Sequence, residues 1–173
     1  QAFIILFLIG CAPLQLFAQF QGQEFVANNG QWPQDVLYLA KDGPNKIWMG
    51  QDRLLFQMTD FSALEAAHHR HEMLSNPQIP SVLFAQIFEK TNTNVQNQGL
   101  TPKAHHYQFF IGQDETKYAN DVKAFEAVTY QNIYTGIELL FSVEKGAYKY
   151  SFNIEPATDP STIRWHYEGA KMV

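Results

Sequence analysis

Strand-length runs separated by turn residues recur along most of this chain, and that spacing restricts it to a β-rich fold. The pattern is sharpest in the last third. Tyr148, Tyr150, Phe152 and Ile154 alternate with Lys149, Ser151 and Asn153, so one face of the run is apolar and the other polar. The run from Ile137 to Val143 alternates likewise, with one slip at Leu140, and Lys145-Gly146 separates the two as a hairpin turn. Asp159-Pro160-Ser161 turns the chain again, and Ile163, Trp165 and Tyr167 alternate with Arg164, His166 and Glu168 as a last strand.

Upstream, Val36–Ala40, Lys46–Met49 and Arg53–Met58 are strand candidates at meander spacing, with turns at 42–45 and 50–52. Val82–Glu89 and Tyr107–Ile111 are two more. Val122–Tyr130 alternates imperfectly, placing Val122, Ala124, Glu126, Val128 and Tyr130 on one face. Residues 90–104, rich in Asn, Thr and Gln, read as a loop. Residues 61–74 differ from all of these. Their Ala, Leu, Glu and Met favour a helix, Asp60 or Ser62 offers a cap, and Pro77 and Pro80 end it. The expected fold is therefore mainly β: an antiparallel β-sandwich with one short helical insertion.

Composition narrows the function classes. Charged residues are 17% and aromatics 14%, which is a core-building balance and not that of a disordered chain. Net charge is −5, so no basic field is present to hold nucleic acid or anionic lipid. The single cysteine excludes an internal disulfide framework.

Residues 1–18 carry no charge and hold an apolar run, Ala2–Ile9, that is too short to span a bilayer. They read as an export signal truncated at its start, cut after Ala18. In the competing reading, Leu8-Ile9-Gly10-Cys11 is a lipobox and Cys11 becomes a lipid anchor, and in a third the segment is a buried N-terminal strand. Residues 19–173 are then a single β-rich domain, expected to stand at the front of a longer multidomain protein and to have no membrane span once processed.

The chemistry-bearing residues form no recognisable catalytic set. His68, His69 and His71 sit in the helix candidate, and His68 with His71 is a weak metal-site candidate, because residues three apart share a helical face. His105-His106 in a strand would point to opposite faces. The carboxylates are scattered, the serines lack a nucleophile-elbow setting, and the glycines are isolated turn residues. No catalytic residue and no cofactor is expected. Trp48 and Trp165 are the candidate ligand-contact aromatics, to be weighed against a place in the core.

Several stretches in order carry a resemblance. They are Phe25–Trp32 (FVANNGQW), Val36–Tyr38, Phe110–Asp114, Val128–Leu139 (VTYQNIYTGIEL), Tyr148–Phe152, Pro156–Arg164 and Glu168–Ala170. Together they resemble a domain found near the N-terminus of large exported Bacteroidetes proteins, ahead of SBBP-type (β-propeller) repeats and a C-terminal type IX sorting domain. The resemblance implies a mostly β, non-catalytic domain of unknown function and supplies no catalytic residues. Residues 61–75 and 92–98 match least and read as variable insertions, and Tyr134-Thr135-Gly136 stands where Tyr-Pro-Gly is more usual. The expected role is a structural or interaction module in adhesion or scaffolding. Its partners would be other domains of the chain, or a surface glycan or protein. The alternatives are a carbohydrate-binding module and, less favoured, a domain associated with a glycan hydrolase.

Overall fold

The structure, a computed structural model, describes residues 22–70 and 79–172. The expected export segment 1–18 with Cys11, and His71 with the following part of the helix candidate, lie outside the described residues.

The elements in chain order are β1 (Phe25–Ala27), β2 (Tyr38–Asp42), β3 (Asn45–Met49), β4 (Arg53–Thr59), α1 (Ser62–His69), β5 (Ser81–Phe88), β6 (Gln96–Phe109), β7 (Ala119–Tyr134), β8 (Ile137–Glu144), β9 (Ala147–Ile154) and β10 (Trp165–Met172). The strands form one sheet in the order β10-β5-β4-β3-β2-β1-β7-β8-β9, with β6 also on β7. Every pairing is antiparallel. The mainly β, one-helix expectation holds, but the sandwich gives way to a continuous sheet that curls into a half-barrel.

The reason lies in β7. A strand has two edges, and β6 occupies one of them from Ala119 to Gln131. The other edge is shared. Phe125 and Ala124 pair with β1, while Ala127–Tyr134 pair with β8. Two leaves therefore diverge from one strand: a wide one, β1-β2-β3-β4-β5-β10, and a narrow one, β8-β9. The alternation read in the sequence is divided at this fork. Val122 and Ala124 bury in one cluster, and Val128 and Tyr130 in another.

The expected loop at 90–104 is corrected in its second half, where β6 begins at Gln96. Polar composition hid the strand, because alternate residues of β6 face solvent. Two breaker signals also fall inside it. Thr101 has φ 51° and Pro102 lacks a ladder N–H, and the register with β7 shifts between Pro102 and His106. Gly99 is required by a close approach, since a Cβ there would lie 2.5 Å from the Phe125 ring.

The β8–β9 hairpin follows its sequence signal closely. Glu144 pairs with Ala147, and the two loop residues, Lys145 and Gly146, have φ 49° and 76°. Positive φ at both positions is the two-residue turn whose twist suits antiparallel strands.

The main core lies between the leaves. Phe25, Met49, Leu54 and Phe88 of the wide leaf meet Val128, Tyr130, Ile137, Leu139 and Phe141 of β7 and β8. Each such side chain contributes roughly 1.5–3 kcal/mol through its burial. A smaller cluster occupies the opposite face of the wide leaf, where Val26, Val122 and Ala124 pack with Trp32, Tyr107 and Phe109. The Asn28-Asn29-Gly30-Gln31-Trp32 stretch seats that tryptophan. Asn28 Oδ1 accepts from the N–H groups of Gly30 and Trp32, and its Nδ2 donates to the Pro33 and Val36 carbonyls. Buried Gln31 donates to Ala27 O at 2.7 Å.

Candidate functional site

Two places in the described residues combine chemistry with accessibility: the inner face of the wide leaf and a polar cluster around Glu24.

The inner face is built by alternation. Ile47 and Met49 on β3 register with Phe56 and Leu54 on β4. Phe56 and Leu54 register with Phe84 and Gln86 on β5. Phe88 and Gln86 register with Trp165 and Tyr167 on β10. One end of this face is covered. The Tyr130 hydroxyl donates to Gly50 O at 2.9 Å, and the Tyr134 hydroxyl to Arg164 O at 2.9 Å. These bonds pin β7 across the Gly50 end of the wide leaf. β8 and then β9 follow. Phe152 of β9 meets Phe88 edge-on and stacks on Trp165 with ring centroids 6.4 Å apart.

Among the described residues the cover stops beyond β9. Met58 is 49% exposed, Tyr167 60%, Trp165 38%, and Tyr150 and Ile154 on β9 itself 41% each. Phe84 lies between a stacked Phe56 at 4.8 Å and an edge-on Tyr167 at 6.2 Å. Among these residues sits Gln86, buried to 2% exposure, with its amide Nε2 lacking a hydrogen-bond partner.

The polar cluster lies where β9 crosses β1 and β2. Beyond the Phe25–Ala40 pair these two strands are joined through a side chain. The Tyr148 hydroxyl lies 3.0 Å from the N–H groups of both Glu24 and Lys41, and 2.9 and 2.8 Å from their carbonyl oxygens. Burial pushes the Tyr148 phenol up to about 12, so it remains a donor at any ordinary pH. Glu24 is buried, and its carboxylate accepts from the Tyr107 hydroxyl. Burial first, then this bond, raises the Tyr107 phenol. His105 Nε2 approaches Glu24 Oε2 to 2.9 Å, close enough for charge contact but not aligned as a hydrogen bond. A hollow of about 230 Å³ opens here, lined by Gly22, Glu24, Val26, Lys41 and Tyr107. The cluster ties β6, β9 and the β1–β2 pair together, which is a structural task for a carboxylate already held by a tyrosine.

The structure separates the two candidate tryptophans. Trp48 registers with Leu39 and Leu55 on the face opposite Trp165. It meets Trp32 edge-on at 5.5 Å, and its Nε1 donates to Gln57 Oε1 at 3.3 Å. The two rings therefore cannot form one platform. His68 is exposed on α1, with its ring 6.2 Å from that of His69. Among the described residues, no three His, Cys, Asp or Glu side chains group in a way that could hold a metal ion.

Sequence reasoning missed the Glu24 cluster because His105 and Tyr107 come together with Glu24 only when β6 packs beside β1, 83 residues away from Tyr107 in the chain. Their spacing of two in a strand was the available signal. It also missed Gln86, which reads as an ordinary polar residue in an apolar run.

Fold and site together define the class in simple terms: a curled antiparallel β domain with an inner face that is aromatic-lined and, among the described residues, open at one end. Residues 25–173 match the family described as a domain of unknown function (DUF7948), and the chain belongs to that family. No curated protein and no solved structure matches the chain.

Proposed function

We propose that this domain is a non-catalytic interaction module of a secreted or cell-surface multidomain protein, serving adhesion or scaffolding. The observation that carries the reading is the uncovered inner face. Apolar side chains left 38–60% exposed on one continuous face mark a surface that another molecule covers. The setting rests on sequence: the export signal at 1–18, or a lipid anchor at Cys11, and the resemblance to front domains of Bacteroidetes proteins with propeller-like repeats and type IX sorting. Among the described residues no helix is long and apolar enough to cross a membrane.

The second reading is a carbohydrate-binding module. It draws on Trp165 and Tyr167, which share the inner face of β10 and remain accessible. A glycan array on the exported chain separates the two. Reproducible glycan binding that Trp165→Ala abolishes would replace the first reading by the second. Turnover of a polysaccharide panel, lost on one Glu→Gln change, would overturn both.

A further inference from the structure

We infer that Glu24 and His105 together bind a divalent transition-metal ion of the Zn²⁺ kind. The inference goes beyond the interaction-module reading and does not depend on it.

The first observation is the pair of atoms that would touch the ion. Glu24 Oε2 and His105 Nε2 are both buried, and neither has a hydrogen-bond partner. They lie 2.9 Å apart without being aligned for an N–H···O bond. A hydrogen bond loses its strength steeply as it bends, so the close approach is not accounted for by one. A metal ion accounts for it. An ion about 2.0–2.1 Å from each atom, the usual Zn–N and Zn–O length, sees the two at an angle of about 90°. That is the angle between neighbouring ligands of a six-coordinate ion. An amine ligand does not match the spacing. Its tetrahedral N–H groups reach acceptors about 2.8 Å away, which sets two such acceptors about 4.6 Å apart.

The second observation is how the two ligands are held. The Tyr107 hydroxyl donates to the Glu24 carboxylate through Oε1, which leaves Oε2 for another partner. The Tyr148 hydroxyl holds the Glu24 backbone at both its N–H and its carbonyl. His105 and Tyr107 share one face of β6, and their rings meet edge-on at 5.3 Å. The register of β6 shifts between Pro102 and His106, the kind of irregularity that re-aims a side chain. Outer partners of this sort orient metal ligands.

The third observation is access. The Glu24 side chain is 9% exposed but lines the hollow of about 230 Å³, and His105 is 37% exposed. Two protein ligands are one fewer than a self-sufficient site uses, so the remaining positions belong to water and binding is reversible. Lys41 lines the same hollow, and its charge opposes a cation there. His106 and His166 differ from His105, because each is hydrogen-bonded to a carboxylate.

The test is calorimetric titration of the untagged intact chain with Zn²⁺, with thermal unfolding in parallel. One equivalent should bind and raise the melting temperature, since the ion binds only the folded chain. His105→Ala, a change at a partly exposed side chain, should abolish both effects. Glu24→Gln, which keeps the shape and the bond from Tyr107, should weaken binding at least about tenfold. Lys41→Ala should tighten it about threefold, and His106→Ala and His166→Ala should leave it unchanged. X-ray absorption at the zinc edge should show one imidazole among oxygen ligands. No binding at millimolar Zn²⁺, binding retained in His105→Ala, or equal loss with His166→Ala would overturn the inference. The glycan and turnover measurements above are made without zinc, so their outcomes bear on the proposed function alone.

Discussion

The two ends of the wide leaf are built from the same strands with the same alternation, yet they meet opposite fates. At the Gly50 end, Met49, Leu54 and Phe88 are at most 3% exposed. Four residues further along the same face of β4, Met58 is about half-exposed, and on β10 Tyr167, one register step beyond the Phe88–Trp165 pair, is more so. Nothing local distinguishes Leu54 from Met58, since both are apolar and both point inward. The difference is the reach of the opposing leaf, which has two strands where the wide leaf has six. Burial here is a property of leaf width, and the exposed end is the part that the narrow leaf does not reach.

That contrast can be broken most strongly from the covered end. Leu54→Ala should cost about 2–5 kcal/mol in denaturant unfolding, because the packed leaves cannot collapse into the cavity. Met58→Ala on the same strand should stay within about 0.5 kcal/mol, as surface changes do. Equal losses at the two positions would mean that Met58 is covered in solution.

Gly99→Ala tests the fork itself. An added methyl meets the Phe125 ring at the point where β6 and β1 flank β7, so a loss of about 1–3 kcal/mol is expected. Tyr148→Phe tests how the narrow leaf is tied down at its β1 side. It leaves backbone groups of Glu24 and Lys41 unpaired and should cost about 1–3 kcal/mol, with faster hydrogen exchange at both residues. An unchanged unfolding midpoint would show that water substitutes there.

The smallest effect concerns β10, the far edge of the wide leaf. His166 Nδ1 lies 2.8 Å from Glu89 and its Nε2 3.0 Å from Glu168. Hydrogen bonds to Glu168 and then Glu89 raise its folded-state value above the ordinary 6.5. The stabilisation is therefore complete below about pH 6.5 and is lost as pH rises through the raised value. Wild type should exceed His166→Gln in denaturant midpoint at about pH 5.5, and the gap should narrow by about pH 8.5. A gap that widens with pH would refute the pairing. Because the side chain is exposed, salt should shrink the effect.

Local grammar determined much of this protein from sequence alone. Alternation at period two placed β8, β9 and the start of β10, because a strand that buries one face must write that face at every second residue. Lys145-Gly146 and Asp159-Pro160 marked turns whose backbone geometry few other residue pairs satisfy. The short helix after Asp60 followed from its helix-forming residues, as far as it is described. The N-terminal half of β6 was illegible, because polar residues, a proline and Thr101 at positive φ write a loop unless a 16-residue partner strand holds them in a ladder. Tertiary structure alone decided that β7 shares one edge between two leaves and that those leaves differ in width. It also set Trp48 and Trp165 on opposite faces. Each of these depends on which strands meet, and an alternating pattern specifies a face without specifying what will cover it.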